Sequence, residues 1–76
     1  MDVKCTRDWH SIRVYIDKTL YLYIPMKGFE GLQSWMDDDR FFIEIYKTSG
    51  KNMLLEYRER DKWEQILSKL NEILPK

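Results

Sequence analysis

The chain has few of the residues that would cross-link it or keep it loose: one cysteine, two prolines and three glycines in 76 positions. With Cys5 alone, an intramolecular disulfide and a four-cysteine zinc site are both excluded. So little glycine and proline also argues against a disordered or fibrous chain. No apolar run approaches the ~18 residues of a membrane-spanning helix. The start, with Asp2, Lys4, Arg7 and Asp8, lacks the apolar stretch of a signal peptide. A cytoplasmic, reducing setting is the expectation.

Net charge is absent too, because 13 Lys and Arg balance 13 Asp and Glu. No global field then draws the protein to nucleic acid or to an anionic membrane, which argues against nucleic acid as a partner. Zero net charge also removes a barrier to self-association, so a homodimer is compatible with the composition.

What is present suits a small folded unit. Hydrophobic residues make up 43% and aromatics 14%, with three Trp, five Tyr and three Phe. A domain of this size buries only about 60% of the surface its unfolded chain exposes, so it needs large apolar side chains. Residues 1–76 are expected to form one domain, with 1–9 as a mobile N-terminal segment.

Ile12, Val14 and Ile16 alternate with Arg13, Tyr15 and Asp17, the period of a half-buried strand. The alternation resumes at Leu20, Leu22 and Ile24, with Tyr21 and Tyr23 opposite, and ends at Pro25. With Asp17, Lys18 and Thr19 between them, the two runs predict a hairpin. Phe29, Leu32, Trp35 and Met36 follow at near-helical spacing and stop at Asp37, Asp38 and Asp39, which predicts a short helix or structured loop. Phe41, Ile43 and Ile45 alternate with Phe42, Glu44 and Tyr46. A turn cluster at 48–52 leads to Met53, Leu54, Leu55 and Tyr57, giving a second hairpin. A further strand near Val3 to Cys5 is compatible with the pattern.

Asp61 followed by Glu64 has the form of a helix N-terminus with a reciprocal glutamate. Trp63, Ile66, Leu67, Leu70, Ile73 and Leu74 then form a single apolar stripe that ends before Pro75. The expected class is α+β: two β-hairpins in one small curved antiparallel sheet, a short helix or loop between them, and a long C-terminal amphipathic helix packed on the sheet.

Chemistry-bearing residues are sparse. Cys5, Asp8 and His10 lie close together, but nucleophile and base are normally assembled across a fold and not along six residues. The Asp37 to Asp39 run lacks the spacing of a calcium loop, and His10 has no second ligand at zinc spacing. No cofactor, metal or catalytic residue is assigned, and the chain is read as a non-enzyme. If the apolar residues of the first hairpin face inward, Arg13, Tyr15, Tyr21 and Tyr23 share its outer face. Tyrosine and arginine are enriched at binding hot spots, so these four are the candidate binding residues. The other reading has the Phe29 to Met36 segment fold over the tyrosines.

Phe41–Ile45, Ser49, Gly50, Leu54, Leu55 and then Glu59, Arg60, Asp61, Lys62 and Trp63 resemble the end of a pleckstrin-homology-like domain. In that family two final strands lead into a C-terminal helix carrying a Trp, often in a Glu-Arg-Asp-x-Trp context. Ile24, Pro25 and Phe29 are similar to a stretch of its bacterial members. The resemblance spans roughly residues 20 to 74 and implies a curved sheet plugged at one end by Trp63. The family has seven strands and its lipid-binding basic residues lie in a first hairpin without a counterpart here. A fainter resemblance links Gly28, Phe29, Glu30 and Gly31 to the Gly-x-x-Gly loop of KH domains.

Together these point to a non-catalytic module that binds a protein or peptide, with self-association open to it. The alternative is binding of a phosphoinositide head group or nucleic acid through Lys18, Lys27, Arg40 and Lys51.

Overall fold

In the computed structural model, which describes residues 1–48 and 50–74, the chain is α+β, with six strands followed by one helix. The strands are β1 (Val3–Arg7), β2 (Ser11–Ile16), β3 (Thr19–Pro25), β4 (Phe29–Asp37), β5 (Arg40–Lys47) and β6 (Met53–Tyr57), and the helix is α1 (Arg60–Ile73). They form two three-stranded antiparallel sheets in sequential order, β1-β2-β3 and β4-β5-β6, not one sheet. The stretch 1–9, expected to be mobile, supplies β1, which pairs with β2 from Val3↔Ile16 to Arg7↔Ile12.

The helix or loop expected over Phe29–Met36 is instead β4, paired with β5 from Phe29↔Lys47 to Asp37↔Arg40. Its apolar spacing fits a helix in isolation, but a neighbouring strand of eight residues offers a full ladder of backbone hydrogen bonds. Gly28 (φ 79°) and Gly31 (φ 151°) take backbone angles that L side chains avoid, at the entry to β4 and at its bulge. The three aspartates are not a helix stop: Asp37 closes the β4–β5 hairpin against Arg40, with Asp38 (φ 55°) in the left-handed region of the two-residue turn.

One core serves both sheets and the helix. Ile12, Val14 and Ile24 of the first sheet, Ile43 and Ile45 of the second, and Ile66 and Leu70 of α1 are fully buried in it. Trp63, Leu67, Ile73 and Leu74 pack against the same cluster at its margin, as the apolar stripe predicts. The helix lies on β1, β5 and β6, and the Arg7 guanidinium donates to the Ile73 carbonyl at 2.9 Å. Its N-terminus differs from expectation. Glu59 is the cap residue and makes no side-chain cap bond, while Asp61 sits in the first turn and accepts from Gln65 Nε2 at 2.9 Å. Pro75, expected to end the helix, lies outside the described residues, as does Ser49 of the turn cluster.

Candidate functional site

The outer face of the first sheet is built by register. Lys4 lies opposite Tyr15, Thr6 opposite Arg13, and Arg13 opposite Tyr23, with the Arg13 guanidinium 5.8 Å from the Tyr23 ring centre. Arg13, Tyr15 and Tyr23 therefore share one surface, as the alternation predicts. Tyr21 does not join them. A bulge between Val14 and Tyr15 pairs Val14 with Leu22 but Tyr15 with Leu20, so one β3 residue is skipped and the side-chain phase changes. Leu20, expected in the core, is 51% exposed beside Tyr15. Tyr21 instead reaches the second sheet, where its hydroxyl lies 2.8 Å from that of Tyr57, and the Lys62 ammonium sits 5.1 Å from its ring centre. Burial, and then the Tyr21 partner, push the Tyr57 phenol well above its ordinary range, so its proton is held in this contact.

The Phe29–Met36 segment belongs to the other sheet and does not cover the tyrosines as a helix or loop. A depression of about 310 Å³ is lined by Asp2, Lys4, Thr6, Tyr15 and Lys18, with Tyr15 the one tyrosine that borders it. Lys18 is held at φ 70° and Asp17 at φ 49°, while Asp17 is tied to Asp2 through both backbone and carboxylate.

A second surface comes from β4, whose strand character the sequence pattern hid. Each sheet has two edge strands, and three of the four are blunted. Helix α1 packs on β1, the β3 edge ends in Pro25 and meets β6 through Tyr21 and Tyr57, and β6 is only five residues long. β4 is the longest strand at nine residues, has β5 as its sheet neighbour, and contains no Lys, Arg or Pro. Every second residue of such a strand turns its N–H and C=O away from its partner.

Along the β4 edge the side chains form two rows. Leu32, Ser34 and Met36 share the face of the buried Ile45, Ile43 and Phe41, yet Met36 is 55% exposed. Beside this row runs a groove of about 680 Å³, walled by Met26, Phe29 and Leu32 on one side and by Asn71 and Leu74 of the helix end on the other. On the opposite face Trp35 stacks on Phe42 with ring centres 5.2 Å apart and planes 16° from parallel. Glu30 near one end of the strand and Asp37, Asp38 and Asp39 at the other are all exposed.

The remaining candidates are not gathered. Cys5 is half-buried, and its thiol is pushed up to about 11, first by desolvation and then by Glu72, with Lys69 opposing. Burial thus disfavours the thiolate form of Cys5. The His10 ring lies 3.8 Å from that of Trp9, centre to centre, tilted by 33°, and Asp8 accepts the Ser11 and His10 backbone N–H groups at 2.8 Å, bonds that hold its carboxyl below the usual range. These contacts shape the β1–β2 turn and present Trp9 to solvent. Lys18, Lys27 and Lys51 sit on three different connections and Arg40 at the start of β5. Among the described residues no cluster of three metal-ligating side chains occurs, and no helix is long and apolar enough to cross a membrane. Comparison with protein-family models, with curated proteins and with solved structures gives no match to this chain.

Proposed function

We propose that the protein is a non-catalytic interaction module that takes an extended segment of a partner protein as an added strand on β4. The observation that carries this reading is the open β4 edge, long and without the cationic or proline guards that normally blunt one, beside an apolar groove. Main-chain bonding to the edge would supply affinity. Alternate side chains would fall into the groove by Phe29, Leu32 and Leu74 and onto Trp35. The charges set the rest of the partner's chemistry: cationic residues at its ends meet Glu30 and Asp37 to Asp39.

Membership of the pleckstrin-homology-like class is part of this proposal. Two successive antiparallel sheets followed by a helix with Trp63 in its first turn support it, although the chain has six strands where that class has seven. The lipid or nucleic-acid alternative has less support, because its four basic residues are dispersed.

The test is a titration with a nine-residue peptide of alternating valine and threonine carrying two lysines at each end. Met36→Lys, at an exposed position, should weaken binding at least tenfold, as should replacing the peptide lysines by glutamate. Equal affinity for the two peptides would exclude the assigned charge pattern. No binding by either, together with salt-sensitive binding to phosphoinositide vesicles, would favour the alternative.

A further inference from the structure

The chain's zero net charge is unevenly divided between its two sheets. At the outward positions of the first sheet the charged residues are Lys4 and Arg13, both exposed, among Tyr15, Tyr23 and the half-exposed Leu20. At the outward positions of the second they are Glu44 and Glu56, among Trp35, Phe42 and Leu54, which is 58% exposed. Glu44 is fixed in place by Gln33 Nε2 at 3.3 Å and Asn52 Nδ2 at 3.4 Å. Charges of the opposite sign lie at the strand ends: Asp2 and Asp17 beside the first sheet, Arg40 opposite Asp37 and Arg58 just past β6 on the second.

We infer that the outer face of the first sheet docks on the outer face of the second sheet of another copy, so that the protein assembles head to tail. Pairing of like faces is disfavoured, because in direct register it would oppose Lys4 and Arg13 to themselves or Glu44 and Glu56 to themselves. Unlike faces bring two cations against two carboxylates, and each carries one exposed leucine and at least two aromatic rings that the contact would cover. Such an interface is heterologous. Each copy keeps one free face of each kind, and growth continues unless the rotation closes a ring. The zero net charge removes the long-range repulsion that would oppose it.

Charge reversal on one face at a time tests the inference by sedimentation at low and high salt. The parent should form species larger than a dimer as concentration rises toward the millimolar range at low salt, and lose them at high salt. Lys4→Glu with Arg13→Glu should make the chain monomeric, as should Glu44→Lys with Glu56→Lys. Mixing these two variants, or joining all four substitutions in one chain, should restore association to within about tenfold of the parent, since every face again meets its opposite. Each variant must first melt as a folded domain, and Glu56→Lys alone, at an exposed site, is the fallback, with an expected loss of at least tenfold. A parent that stays monomeric throughout, association that survives both reversals, or folded variants that fail to complement each other would overturn the inference.

Discussion

Trp63 joins the helix to the second sheet, and its removal reads out how much that junction contributes. Its indole Nε1 donates to the Phe42 carbonyl at 3.0 Å, and its ring lies 5.2 Å from that of Phe41, centre to centre. Full truncation of a buried Trp to Ala costs about 3 to 5 kcal/mol. Because this ring is only partly buried, about 3 kcal/mol is the working figure, with the lost hydrogen bond included. A chain of this length has a total stability of about 4 to 11 kcal/mol. Trp63→Ala should therefore lower Tm by about 12 to 24 °C, at about 4 to 8 °C per kcal/mol for a domain this small. Trp63→Phe keeps a ring on Phe41 but loses the donor, and should cost about 1 kcal/mol. Thermal melts followed by far-ultraviolet circular dichroism measure both. A Trp63→Ala protein melting within about 3 °C of the parent would show that the helix is held without this contact, and equal losses for Ala and Phe would show that the ring contributes nothing.

Three further outcomes follow from the buried polar groups. Ser11 Oγ is buried without a hydrogen-bond partner among the described residues, so Ser11→Ala should raise stability by about 1 kcal/mol in denaturant titration, and a loss of that size would show that the hydroxyl is hydrogen-bonded in solution. Tyr57→Phe and Tyr21→Phe each leave one hydroxyl of the pair unmatched. Each should destabilise, while the double variant should cost less than the sum of the two, and strict additivity would refute a shared bond. Cys5 titrates near 11 when folded against 9.0 for an ordinary thiol, so it should alkylate roughly a hundredfold more slowly at pH 8 in the native than in the unfolded protein. Since its folded value is raised, its contribution to stability is whole below pH 9 and declines between about 9 and 11, a decline that Cys5→Ala should reduce in melts across that range.

The elements that could be read from the sequence are those whose pattern has a single interpretation. The helix is one, because six apolar residues at helical spacing fit no strand. The alternation of Phe41, Ile43 and Ile45 is another, and all three are buried in β5. β4 was hidden because Phe29, Leu32, Trp35 and Met36 fit a helix locally, and only the ladder with β5 decides against it. The signals that could have revealed it are Gly28 and Gly31, poor helix formers, and the Asp38-Asp39 pair placed as a two-residue turn between apolar runs. The first candidate surface was readable except at Tyr21, since a bulge has no signature in the alternation itself. The groove could not be read at all, because it exists only where β4 and the end of α1 approach one another.

The central claim is that β4 is open to an added strand, and amide hydrogen exchange resolved residue by residue tests it most directly. On saturation with the lysine-flanked valine–threonine peptide, alternate β4 amides between Phe29 and Asp37 should slow at least tenfold, while those of β1 and β3 keep their rates. The same peptide N-methylated through its centre should leave β4 unchanged. Unaltered β4 exchange at saturation, or slowing confined to the first sheet, would contradict the account.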